Sequence, residues 1–159
     1  MPSPVGHALG GAILGLALTP ARRDVAIAAL AACGPDIDFL WGRHAMETHS
    51  VFVAVAVGVA VWVLTRRPAL AAACALAWGS HVLFDWLGSD DSPPLGVMAL
   101  WPLTSNFYFA EAYVFEAISR RYAEPGFWEQ NLWALVKEVL MLAPPAGVLW
   151  WFRRETRKS

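Results

Sequence analysis

Arginine pairs mark every second end of the apolar segments, and this spacing constrains the fold more than any other feature. These are Arg22-Arg23, Arg66-Arg67 and Arg153-Arg154 with Arg157-Lys158, and the apolar segments themselves are almost free of charge. Five apolar segments lie around them: Val5 to about Ala21, Val25 into the Asp36/Asp38 pair, Val51 to Thr65, Ala69 to Leu87, and roughly Phe127 to Phe152. An alternating five-helix path brings all the basic clusters to one side. The opposite ends collect nearly all the acids: Asp36, Asp38, Glu47, Asp85, Asp90, Asp91, Glu111, Glu116, Glu124 and Glu129. Trp41, Trp86, Trp101 and Trp128 fall near the acidic ends, and Trp150 and Trp151 near the basic side, as an aromatic belt would. The composition agrees: the chain is 57% hydrophobic and 16% charged, with a mean hydropathy of +0.45. Lipid tolerates that balance and water does not.

Several segments have fewer than about 18 uninterrupted apolar residues, so buried helices of a soluble protein are the alternative. The charge pattern favours the membrane. The expected fold is all-α, a polytopic membrane helical bundle of about five short helices forming a single domain over residues 1–159. The positive-inside rule makes the basic side cytoplasmic, with the N-terminus outside and the C-terminus inside, and the expected location is the plasma (inner) membrane as a multi-pass protein. The N-terminal stretch has no basic residues before its apolar run, which disfavours a cleaved signal. Gly6 and Gly10, and again Gly11 and Gly15, are four apart and offer small faces for close helix approach. Pro144-Pro145 should kink or interrupt the last segment. Ser89 to Pro94 reads as a turn-rich loop, and Phe107 to Tyr122 as an extra helix, either interfacial or simply packed. Cys33 and Cys74, without a CxxC spacing, read as small buried apolar residues. A net charge of −1 argues against a nucleic-acid scaffold role.

The chemistry concentrates in residues 34–50, which hold Asp36, Asp38, Arg43, His44, Glu47 and His49. At 1.5 Å per helical residue, depth can be counted from each basic end. His7 lies roughly 22 Å from Arg22, Asp36 and Asp38 roughly 20 and 22 Å from Arg23, and His81 and Asp85 roughly 21 and 27 Å from Arg67. His49 lies roughly 26 Å from Arg66, and Glu138 roughly 22 Å from Arg153. Four or five helices thus bring ionisable groups to one layer near the outer face, where burying them is costly. His81 and Asp85, four apart, share a helix face. His7, His44, His49, His81, Asp36, Asp38 and Asp85 make seven candidate metal ligands. Because a catalytic zinc takes about three protein ligands, two metals fit better than one, with Asp36 or Asp38 as a bridge. A dinuclear site suits a phosphoester substrate; an uncharged amide is the alternative. Glu138 or Glu47 would serve as general base or a further ligand. Two other readings compete. One is a non-enzymatic membrane protein that binds or transports metal ions or protons. The other is a structural hydrogen-bond network.

His7, Gly34-Pro35-Asp36-Ile37-Asp38, His44 with Thr48-His49-Ser50, Ser80-His81-Val82-Leu83-Phe84-Asp85 and Leu100-Trp101-Pro102 occur in this order. The series covers about residues 5–105 and resembles the YdjM-like family of membrane-bound proteins regarded as metal-dependent hydrolases. That family is in turn similar, at fold level, to helical zinc-dependent phospholipases C and related nucleases. The resemblance implies an all-α site with two or three zinc ions (manganese or iron as alternatives) acting on a phosphoester, including those of membrane lipids. It implies His7, Asp36, Asp38, His44, His49, His81 and Asp85 as ligands, with Glu138 a weaker candidate. Family members commonly carry arginine directly after the first histidine of the His44–His49 run. Ala45 stands there in this chain, and Arg43 is the nearest replacement.

Overall fold

The chain enters its first helix, α1 (Pro4–Leu18), through a side-chain cap: the Ser3 hydroxyl accepts from the Gly6 amide at 3.1 Å, and Pro4 occupies the first turn. In the computed structural model, which describes residues 1–41, 44–90 and 93–156, four more α-helices follow. They are α2 (Arg22–Ala32), α3 (Val51–Thr65), α4 (Pro68–Trp86) and α5 (Phe127–Glu155), with a 3₁₀ helix at Pro35–Trp41 between α2 and α3. Arg43, Asp91, Ser92 and the Arg157-Lys158 pair lie outside the described residues. Helix α2 does not run into the aspartate pair as the apolar pattern suggested. It stops at Ala32, because Gly34-Pro35 cannot continue it, and the tighter helix carries Asp36 and Asp38 instead. Ser50 caps α3 by accepting from the Phe52 amide at 3.1 Å.

Small residues fix the packing. Helix α4 packs against α1, α2 and α3, while α5 packs against α1. A Cβ on Gly11 would stand 2.5 Å from the Ala28 carbonyl oxygen of α2, and one on Gly15 2.7 Å from the Val25 Cα. On another face of α1, a Cβ on Gly10 would stand 2.7 Å from the Phe84 ring of α4, and one on Gly6 2.6 Å from the Glu138 carboxylate of α5. The two glycine pairs therefore serve three neighbours, not one: α2 for Gly11 and Gly15, α4 for Gly10, α5 for Gly6. Between α2 and α4 the core is a fully buried layer of Ala28, Ala32, Ala73 and Ala77. At its far end Arg67, before α4, clamps the buried Asp24 of α2 with both guanidinium nitrogens. Arg22-Arg23 and Arg66-Arg67 are thereby held at the same end of the bundle.

Helices α4 and α5 have the length and apolarity of a membrane span; α1 and α3 are apolar but shorter, and α2 shorter still. At 1.5 Å per residue α2 covers about 16 Å, against about 30 Å of hydrocarbon. Helix α5 continues through Pro144 and Pro145, so the proline pair does not interrupt it. Its surface is almost entirely outward: Leu132, Trp133, Leu140, Trp150 and Trp151 are all exposed.

The helix expected at Phe107–Tyr122 does not form. That segment is irregular and extended, held by isolated bridges between Val97 and Tyr108 and between Gly88 and Phe115. Its aromatic and β-branched residues suit an extended chain as well as a helix, and backbone partners decide between them. Val97 and Tyr108 exchange amide bonds at 2.9 Å, and the Ile118 amide donates to the Met1 carbonyl at 3.1 Å. No strand of a sheet occurs among the described residues.

Candidate metal centre

Two imidazoles at the heart of the molecule are oriented by their outer nitrogens. Nδ1 of His81, on α4, lies 2.7 Å from the Ala32 carbonyl at the end of α2. A carbonyl only accepts, so Nδ1 carries a proton and Nε2 is the nitrogen turned toward the cluster. Nδ1 of His49 stands 3.2 Å from Asp38 Oδ2 and 3.1 Å from Thr48 Oγ1, which aims its Nε2 inward as well. Trp78 fixes this turn by donating from its indole to the Thr48 carbonyl at 2.8 Å. The two Nε2 atoms face each other at 3.1 Å, a separation at which two lone pairs need a proton or a cation between them.

Carboxylates complete the cluster. Asp85 Oδ2 lies 3.1 Å from His81 Nε2 and 3.3 Å from His49 Nε2. Asp36 Oδ1 lies 3.7 and 3.9 Å from the same two atoms. A tetrahedral zinc with bonds of about 2.0–2.1 Å sets its ligands about 3.3 Å apart. The five separations, 3.1 to 3.9 Å, bracket that edge. Asp85 is 1% exposed, and its oxygens face the Nε2 atoms of His7, His49 and His81 at 3.1–3.3 Å, while Nδ1 of His7 is buried without a hydrogen-bond partner. A buried carboxylate needs protons or a cation opposite it, and a divalent ion held among these rings would supply that charge. The donor set fits a divalent metal.

A second set of donors adjoins the first. His7 Nε2 lies 3.3 Å from Asp85 Oδ1, and its ring stacks on His81 at 3.6 Å between centroids. Ligating atoms of His7, His81 and Asp85 fall within 4.8 Å of one another, as do those of Asp36, His44 and His49. Asp85 thus faces His7 with one oxygen and His49 and His81 with the other. His44 turns Nδ1 to Asp38 at 3.3 Å and to Asp36 at 3.7 Å. A cavity of about 180 Å³ opens onto the cluster, lined by His7, Asp36, His44, Asp85, Phe39 and Arg120 among others.

The model of one protein family, the YdjM inner membrane protein, matches residues 1–153. The chain belongs to this YdjM inner membrane protein family. No curated protein and no solved structure matches it. Membership makes the apolar, outward-facing surfaces of α4 and α5 those of an inner membrane protein.

Within this YdjM family member, the cluster joins six of the seven expected ligands directly: His7, Asp36, His44, His49, His81 and Asp85. Asp38 stands behind them. Its oxygens face His44, His49 and the Thr48 hydroxyl (3.1 Å), so it orients rings from the rear, as carboxylates beside ligating histidines do. Burial opposes its ionisation, but the hydrogen bonds and charges of His44 and His49 outweigh this and hold its carboxyl well below the usual range. Burial likewise disfavours the charged form of His49, but Asp38 and Asp85 overcome it and push its pKa up to about 9. Glu138 lies apart from both groups. It accepts from the Ser3 amide at 2.8 Å and from the Ser3 hydroxyl, tying α5 to the start of α1. Glu47 is half-buried in the turn between His44 and His49. Ala45 has a left-handed backbone (φ 61°) and packs, 2% exposed, with Val82 and Val97. Three contributors gave no sequence signal: the Ala32 carbonyl, which any residue supplies; Phe39, stacked on His44 at 4.1 Å; and Arg120, far along the chain.

Proposed function

We propose that the protein is a membrane-bound, metal-dependent hydrolase acting on a phosphoester, with the headgroup of a membrane lipid as the leading substrate class. The observation that carries this reading is the convergence of His49 Nε2, His81 Nε2, Asp85 Oδ2 and Asp36 Oδ1 around one point, with Asp85 buried among imidazole nitrogens. These four residues would hold one ion, zinc for preference and manganese or iron as alternatives. His7 with Asp85, and His44 with Asp36, offer donors for a second. Divalent cations, when bound, supply Lewis acidity toward water and toward a phosphoryl oxygen. Asp38 and the Ala32 carbonyl fix the tautomer and aim of His49 and His81. Glu138 is committed to Ser3, which leaves Glu47 as the acid for proton transfer.

The site sits at the end of α4 opposite the Asp24–Arg67 clamp, so we place it on the outer side of the membrane, with the C-terminus cytoplasmic. A reporter active only in the cytoplasm, fused after residue 159, tests this; silence there reverses the orientation. The rival reading, ion transport, needs ligands that continue through the bundle. The Ala28, Ala32, Ala73 and Ala77 layer lies between α2 and α4 and offers none.

The test is turnover. Purified, zinc-loaded protein should release product from phospholipid or phosphodiester, lose that activity to a chelator and regain it with metal, while His81→Ala stays inactive. Metal-loaded protein that hydrolyses no phosphoester but carries metal into vesicles would establish transport instead.

A further inference from the structure

Above the His–Asp cluster, the cavity wall includes one permanently cationic side chain among the described residues, Arg120. Its guanidinium lies 4.5 Å from the centroid of the Phe39 ring, and the same ring stacks on His44 at 4.1 Å. Phe39 is thus sandwiched between the cation and a member of the metal cluster. Stacking holds the guanidinium plane while leaving its edge donors free to bind. No described carboxylate forms an ion pair with Arg120, although Asp36 and Asp85 line the same cavity.

The backbone leading to Arg120 is pinned, not loose. Asn131 of α5 accepts from the Ser119 amide at 2.7 Å and donates to the Ser119 carbonyl at 3.0 Å, a two-pronged amide clamp. One residue earlier, the Ile118 amide donates to the Met1 carbonyl at 3.1 Å. Ser119 is buried while Arg120 itself is exposed. An irregular segment is therefore fastened on both sides immediately before Arg120, which lines the cavity together with Ile118. A planar cation with five donors, held over a site for divalent metals, is suited to an anion that carries several oxygens.

We propose that Arg120 is the anion-binding residue of this site, receiving an oxygen of a phosphate or phosphoester group that enters the cavity beside Phe39. The inference rests on the phosphoester reading given above and adds to it the residue that selects a charged ligand over a neutral one. An amide substrate would leave the guanidinium without a partner.

Calorimetric titration of zinc-loaded, detergent-purified protein with inorganic phosphate tests it, with metal content measured in parallel. Arg120→Met keeps a long stem over Phe39 and removes the charge; Arg120→Lys keeps the charge without the fork. Wild type should bind phosphate, Arg120→Met should bind it about 10- to 100-fold more weakly with metal content unchanged, and Arg120→Lys should recover part of the loss. A residue that merely fastened the segment to Phe39 would not separate Lys from Met in this way. Displacement of phosphate by short-chain phosphatidic acid in micelles, compared with glycerol phosphate in solution, identifies the source: preference for the lipid assigns a membrane headgroup, equal affinity a soluble ester. Unchanged phosphate affinity in Arg120→Met, or no phosphate binding by metal-loaded wild type, overturns the assignment while leaving the metal site standing. A wild type that carries no metal yet shows Arg120-dependent phosphate binding supports anion binding and removes the hydrolase reading.

Discussion

Replacing Asp38 with asparagine separates a ring-orienting carboxylate from a metal ligand. Asparagine preserves the volume of a side chain that is 1% exposed, so packing changes little. It removes the negative charge that faces His44 Nδ1 at 3.3 Å and His49 Nδ1 at 3.2 Å. Loss of such a rear partner typically weakens metal binding about 10- to 100-fold, equivalent to about 1.4–2.7 kcal/mol. Two rings lean on this one carboxylate, which puts the expected effect toward the upper end. Competition with a chromophoric chelator on detergent-purified protein measures the affinity, and elemental analysis at saturating zinc measures the stoichiometry. Asp38→Asn should lose affinity and keep the full number of ions, whereas His49→Ala should lose an ion outright. Wild-type affinity in Asp38→Asn, or an ion missing at saturation, would refute the orienting role.

Three further outcomes follow from other parts of the structure. Gly11→Leu forces a side chain into the α2 backbone at the Ala28 carbonyl and should destabilise the bundle by about 1–3 kcal/mol, read as a lowered melting temperature in detergent. Glu138→Ala leaves the buried amide and hydroxyl of Ser3 without their acceptor and should cost about 1–3 kcal/mol, while metal content stays unchanged; loss of metal would return Glu138 to the ligand set. His49, whose pKa is raised to about 9 by Asp38 and Asp85, holds a proton near neutral pH that a metal must displace. Affinity should therefore weaken about tenfold for each unit the pH is lowered below that value, and calorimetry in buffers of different ionisation enthalpy should detect a released proton; pH-independent binding contradicts this.

Helix positions were legible wherever hydropathy and punctuation agreed. The Val51–Thr65 segment is the helix the sequence indicated, because Ser50 and Arg66 bound a run of valine and alanine with no polar interruption. The glycines of α1 announced close packing, but which neighbour each one meets depends on the three-dimensional arrangement around α1. The depth count found His7, Asp36, Asp38, His49, His81 and Asp85 because each lies at a similar distance along the chain from the basic end of its own segment. It misjudged Glu138, since equal depth does not mean equal azimuth: Glu138 faces the start of α1 and the histidines do not. Phe107–Tyr122 misled because its residue types satisfy two conformations, and the deciding bonds to Val97, Gly88 and Met1 are remote in sequence. Arg120 was hidden for the same reason. Ala45, buried with a left-handed backbone, shows why an arginine-sized side chain is not accommodated at that position without rebuilding the turn.

Metal content decides the central claim most directly. Protein purified in mild detergent without chelators, after growth in zinc-supplemented medium, should contain about two transition-metal ions per chain by elemental analysis. His81→Ala combined with Asp85→Ala should remove them while the chain remains helical by circular dichroism. Folded wild type without stoichiometric metal, or a double variant that keeps its full complement, would contradict a metal centre built from these residues.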